Sequence, residues 1–267
     1  MKKTRMVIVL AVMFLLSAFN IQGKDAAVDP VLQADAVLSK INSVTDVKEA
    51  VKLIDSADVL YKKAAETAGK EGITENICYQ LAKCANYKYH HMDIGAVDEK
   101  KKAYADVIAL IEKSGLDQEK SEVYNYCLAL MWARKGDISD LFESASNGMA
   151  DKIKKYSEKA IALDGANKGA AMIILGRLYW KAPSIPFILT WPDKNKAKEF
   201  LTEAIKLEDS IIAKLFLADA MNDTGEKEKA VMMFKEVAAV VPSAELYWQD
   251  VKTKKMCEAR MKELGIK

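Results

Sequence analysis

Apolar residues recur every three or four positions along most of this chain. Ala50, Val51, Leu53, Ile54, Ala57, Leu60 and Tyr61 form one such stripe, the signature of a helix with one buried face. Asp46 is placed to cap that helix, with Glu49 three residues on as in a capping box. The helix is predicted to run to about Ala68 and to stop at the turn Gly69-Lys-Glu-Gly72. A second helix is expected from Thr74 to Met92, and others over 97–113, 119–135 and 137–150, with Gly115, Gly136 and Gly165 as boundaries. Gly and Pro number only 12 and 5 in 267 residues, too few for the tight turns of an all-β fold. The fold class expected is therefore all-α.

The C-terminal half repeats itself. Lys196-Ala197-Lys-Glu-Phe-Leu-Thr-Glu-Ala204-Ile-Lys-Leu207 is echoed by Ile153–Leu163 and by Ala230-Val-Met-Met-Phe234-Lys-Glu-Val237. Ahead of these, Leu175-Gly176-Arg-Leu-Tyr179 corresponds to Leu217-Ala218-Asp-Ala-Met221. Small residues at Gly176 and Ala218 allow two helices to approach closely, and Ala197, Ala204, Ala230 and Phe234 are the matching packing positions. From Ala218 the next small residue of the pattern, Ala230, is twelve positions on, Phe234 is sixteen, and Pro242 closes the unit at twenty-four. The pattern resembles the tetratricopeptide repeat, a helix-turn-helix unit that stacks into a curved solenoid. It is clearest over 211–242, fainter over 167–209 and weak before about residue 150.

One repeat is interrupted. Gly176 and Ala197 are 21 positions apart, so nine extra residues enter the turn. The inserted stretch, about 181–192, holds Pro183, Pro186 and Pro192, three of the five prolines. Proline limits backbone freedom, so this segment is expected to be ordered. Phe187, Ile188, Leu189 and Trp191 are unusually apolar for a turn and must cover the solenoid, meet a partner or line a pocket. Arg177 can order this loop through carbonyl groups or offer two parallel donors to a carboxylate ligand. Tyr179 and Trp180 point apart on a helix, so at most one is expected to face the loop.

Gly176-Arg177-Leu178-Tyr179 followed by Ala182-Pro183, Ile185-Pro186-Phe187 and Trp191 resembles the T component associated with tripartite ATP-independent periplasmic (TRAP) transporters, the TatT-like family. The similarity spans roughly 165–240. It implies helical hairpins around a pore or cleft, an extracytoplasmic protein and a homo-oligomer, with a trimer as the known state. It also implies a non-catalytic accessory that accompanies the transporter's periplasmic substrate-binding protein and handles a small apolar or acidic ligand. The ligand or partner surface then comprises Arg177, Tyr179, Trp180, Pro183, Pro186, Phe187 and Trp191. A scaffold for another cell-envelope complex is the competing expectation.

The N-terminus supports export. Lys2, Lys3 and Arg5 precede the uncharged run from Met6 to Phe19, which reads as a signal peptide over 1–23. A tail over 24–30 and a single helical domain over 31–267 would follow, placing the protein in the periplasm or another extracytoplasmic space. The first cysteine is Cys78, so the leader carries no lipid-accepting thiol and the chain is not expected to be a lipoprotein there. Removing the leader changes the formal charge from +2 to -1, and basic residues alternate with acidic ones, so no nucleic acid is expected as a partner. Cys78, Cys84 and Cys127 fall in helical stretches and read as buried thiols.

Catalytic chemistry finds no motif. There is no Gly-rich phosphate loop, no Gly-x-Ser-x-Gly elbow and no His-Glu-x-x-His. His90 and His91, the two histidines, diverge on an α-helix and share no metal face. The expectation is no catalytic residue, no metal and no cofactor. The lysine runs at 100–102, 152–155 and 252–255 read as solvent faces of amphipathic helices.

Overall fold

The computed structural model describes residues 29–183 and 189–266. The leader over 1–23, most of the expected tail, and Pro186 and Phe187 lie outside those residues. Among the described residues twelve α-helices follow one another: α1 (Pro30–Leu38), α2 (Val47–Gly72), α3 (Glu75–Ala85), α4 (Val97–Lys113), α5 (Glu122–Ile138), α6 (Leu141–Ser146), α7 (Met149–Ala162), α8 (Lys168–Lys181), α9 (Lys194–Leu207), α10 (Ile211–Asp223), α11 (Lys227–Ala239) and α12 (Tyr247–Glu263). Short side chains set several of their starts. The carboxylate of Asp46 accepts from the Glu49 amide at 2.9 Å, and the Ser121 hydroxyl accepts from the Tyr124 amide at 3.0 Å. Asp193 does the same for Asn195 at 2.8 Å, and each cap satisfies an amide the helix cannot. Pro30 opens α1 behind the cap Asp29, whose carboxylate accepts from the Val31 amide.

Three boundaries differ from the periodicity. α2 continues to Gly72, but Gly69 adopts φ +64°, which kinks the helix where the turn was expected. Gly136 lies inside α5 rather than between helices, because the chain stays helical until Ser139. The expected helix over 137–150 is instead the end of α5, the short α6 and the start of α7, split at Gly148, which has φ +57°. The segment after α3 departs from α geometry as well. Residues Asn86–His91 form a π-helix, with the Met92 amide bonded to the Tyr87 carbonyl five residues back at 2.9 Å.

The helices pack as successive antiparallel hairpins. α8 against α9 and α10 against α11 are the two units seen as repeats in the sequence. The packing positions Gly176, Ala197, Ala204, Ala218, Ala230 and Phe234 are all buried. Gly176 needs its missing side chain: a Cβ there would stand 2.7 Å from Leu201 Cγ and 3.2 Å from the Ala197 carbonyl. The core falls into an N-terminal cluster around Leu81, Leu128 and Met131, a C-terminal one around Leu215 and Phe234, and a small third one of Leu175, Tyr179 and Ala197.

The N-terminal and C-terminal clusters are joined by the last helix. Cys257 of α12 belongs to the C-terminal cluster and Trp248 to the N-terminal one. Trp248 Nε1 donates to the Ile41 carbonyl at 3.1 Å, and Asn42 donates to the Glu245 carbonyl. α12 also packs on the π-helix, where Lys252 meets Asp93 at 3.5 Å. The solenoid thus turns back on its own beginning. Lys252, placed on a solvent face by the sequence, points inward instead.

Candidate functional site

The closed turn surrounds a cavity of about 820 Å3. That volume is in the range of sites for small organic molecules. The inward face of α8 supplies Asn167, Ala170, Ile173, Ile174, Arg177, Leu178 and Lys181, spaced three or four residues apart. α5 contributes Tyr126, Leu130, Arg134 and Asp137, the π-helix His90 and His91, α10 Phe216, and α12 Gln249, Lys252, Thr253 and Met256. Pro183 and Leu189, both within the insertion, also line it. The walls are mainly apolar, with one concentrated polar group.

That group is a chain of hydrogen bonds across three elements. Arg177 donates to Asp137 Oδ1 at 2.5 Å, while Arg134 approaches Asp137 Oδ2 at 3.4 Å. Arg134 Nε donates to Asn86 Oδ1 at 2.7 Å. The Asn86 amide is thereby oriented, and its NH2 faces His91 Nε2 at 2.9 Å. His91 Nε2 therefore accepts, and the neutral ring carries its proton on Nδ1. Burial, then the Arg134 and Lys252 charges, hold the His91 imidazole down at about 3. Burial holds His90 well below its ordinary value too, with Arg134 and His91 next in weight. Both rings are neutral near pH 7, and their centroids are 5.2 Å apart. Two guanidinium groups thus share one carboxylate. Arg177 Nε is buried and has no hydrogen-bond partner, while its guanidinium lies 5.1 Å from the centre of the Phe216 ring.

The residues expected at a ligand or partner surface fall in different places. Arg177 and Pro183 line the cavity. Tyr179 is buried beside it in a separate cluster, stacked on Phe200 at 5.6 Å and edge-on to Trp191 at 5.2 Å. Trp191 Nε1 donates to Asp151 at 3.2 Å. Trp180 turns the other way, stacks on Phe216 and donates to Asp223 at 3.0 Å. Arg177 meets a carboxylate, but that carboxylate is Asp137 of the same chain.

Arg134, Asp137 and Asn86 were not singled out by the sequence, and His90 and His91 were set aside because they diverge on an α-helix. Arg134 and Asp137 follow the apolar run Leu128–Ala133, and charge on that side of a buried helix was the available signal. The π-helix that turns both histidines inward had none. Among the described residues, no group of three or more His, Cys, Asp and Glu is arranged to hold a metal ion, and all four cysteines are free and buried. No helix among them is long and apolar enough to cross a membrane.

The protein is a TPR-like helical solenoid. It is similar to the crystal structure of a thermophilic TPR protein from Thermus thermophilus, with a TM-score of 0.51 over 87% of this chain and 97% of that one. The sequences are 13% identical, so the likeness is one of fold. No family model matches the sequence, and no curated protein does.

Proposed function

We propose that this is a non-catalytic binding protein whose central cavity takes a small organic solute. In the fuller reading it is an exported accessory of TRAP-type uptake that holds the solute and meets the periplasmic substrate-binding protein. The observation that carries it is the cavity of about 820 Å3, which Pro183 and Leu189 of the inserted segment help to line, where a plug would leave a filled core. Its apolar walls strip water from a ligand body while a few polar groups orient it. Stacked helical hairpins are a fold that offers concave binding surfaces. The family resemblance over 165–240 supplies the transporter context, the homo-oligomer and its trimeric form.

Scaffolding of another cell-envelope complex is the second reading, supported by the short helix α6. Leu141 is 63% exposed there and Phe142 83%, a pair of large apolar side chains facing solvent. Purification of the full chain from the periplasm, with mass spectrometry of bound molecules and proteins, separates the two. Recovery of a small solute and of the substrate-binding protein is expected. Repeated recovery of an unrelated envelope complex, with an empty cavity, would replace uptake by scaffolding.

A further inference from the structure

Charge in the cavity is unevenly distributed. Arg134 and Arg177 face Asp137, and the adjacent histidines are neutral, so this cluster carries one positive charge in excess. Of the other charged groups at the lining, Lys181 lies one turn beyond Arg177 at the exposed end of α8, its ammonium 5.8 Å from the centre of the Trp180 ring, and the rest are engaged or distant. Lys252 shares Asp93 with Lys100, which is nearer at 2.5 Å against 3.5 Å, Asp209 is held by Lys214 at 2.7 Å, and Asp151 accepts from Trp191. Glu208 sits against Gly169, eight residues before Arg177 on α8, or about 12 Å along the helix. It does not neutralise the guanidinium pair by contact. The excess charge is also poorly solvated, since the Arg134 and Arg177 side chains are only 15% and 17% exposed. An unpaired buried guanidinium nitrogen is costly and calls for an acceptor. Beside it, Ile173, Ile174 and Phe216 form an apolar wall.

We infer that the cavity seats an amphipathic organic monoanion, its anionic head on Arg177 and Arg134 and its apolar body along α8 and Phe216, with Asp137 setting the head-group charge that is accepted. The inference rests on the cavity being a ligand site. Asp137 cancels one of two guanidinium charges, so a singly charged head completes neutrality of the Arg134, Arg177 and Asp137 cluster and a doubly charged one overshoots it. A site built from arginine forks favours planar or tetrahedral oxyanions equally, and carboxylate, sulfonate and phosphate heads share that chemistry.

The test is calorimetric binding of octanoate, octan-1-ol and octyl phosphate to the purified full chain at pH 8, where the phosphate head is close to doubly charged. Octanoate is expected to bind at least tenfold tighter than octanol and tighter than octyl phosphate. Arg177→Gln should shrink the octanoate-over-octanol ratio below twofold, and Arg177→Lys, which keeps the charge without the fork, should leave an intermediate ratio. Asp137→Asn should raise octyl phosphate affinity relative to octanoate at least fivefold. Equal binding of octanoate and octanol by the unmodified protein overturns the anion site and leaves the cavity as an apolar one. Binding of neither overturns both. An unchanged phosphate-to-carboxylate ratio in Asp137→Asn overturns the role of Asp137. Because the first comparison uses the unmodified protein, it stands even if a variant fails to fold.

Discussion

Asp137 of α5 accepts from Arg177 of α8 at 2.5 Å and faces Arg134, one turn back on its own helix, at 3.4 Å. One carboxylate thus ties together two helices that are not consecutive in the solenoid. Removing its charge leaves two guanidinium groups facing each other inside the cavity. Asp137→Asn should lower the unfolding free energy by about 1–3 kcal/mol, short of the largest losses because all three side chains retain some solvent. Added chloride or sulfate should recover part of the loss, an effect denaturant titration at two salt concentrations can read.

Gly176 sets how closely α8 and α9 approach. With Leu201 Cγ 2.7 Å from the place a Cβ would occupy, Gly176→Ala must push the helices apart or drive Leu201 from its rotamer. The expected cost is about 1–3 kcal/mol, as for other overpacked cores. Combining it with Leu201→Ala should give less than the sum of the two single losses, because the shortened side chain removes the clash. Strict additivity in thermal or denaturant unfolding would show that the contact is relieved some other way.

The C-terminal helix holds the solenoid closed through few groups, and Trp248 is the main one. Trp248→Phe keeps most of the ring but removes the donor to the Ile41 carbonyl, now left unpaired. A loss of about 1–2 kcal/mol is expected. Amide hydrogen exchange gives the sharper readout. Protection should fall selectively along α12 and in the residues it covers, while α8 and α9 keep theirs.

The buried histidines make stability depend on acid. His91 titrates near 6.5 when unfolded and at about 3 in the native protein, because burial and the Arg134 charge disfavour the imidazolium. The unfolded chain therefore binds the proton first. The stabilising contribution is complete above pH 6.5 and fades as pH falls from 6.5 to 3. Between those values one such group contributes a slope approaching about 1.4 kcal/mol per pH unit. His91→Gln should flatten the stability profile in that window by about one proton, leaving the remaining slope to His90 and the carboxylates. Urea unfolding at half-unit pH intervals measures it, and an unchanged slope would contradict the burial of a neutral ring.

Helices α2, α4 and α11 were legible because each writes its buried face as an apolar stripe of local spacing, with caps such as Asp46 at the start of α2, whereas α10, buried continuously from Leu215 to Ala220, was legible through its repeat partner Leu175–Tyr179. The same locality exposed the hairpin pair α8–α9 and the extra residues between Gly176 and Ala197. Short-range signals failed where geometry depends on more than the next turn. Gly136 looked like a break, yet it has room inside α5, since a Cβ there would meet only side-chain atoms, the nearest at 3.8 Å. His90 and His91 appeared to diverge because α spacing was assumed; the π-helix turns both inward.

The residues themselves thus settle that the chain is helical, where its hairpins repeat and which small side chains let helices touch. They carry that information because helix formation and capping act over three or four positions. Whether the stacked hairpins stay open or close is a long-range matter. It depends on Trp248 reaching Ile41, 207 positions away in sequence, and on Lys252 reaching Asp93. The cavity exists only once that closure is made, and Arg134, Asp137, Arg177, Asn86 and His91 become one polar group only when α5, α8 and the π-helix face it together. No periodicity within a single helix encodes that meeting, because its partners belong to different helices.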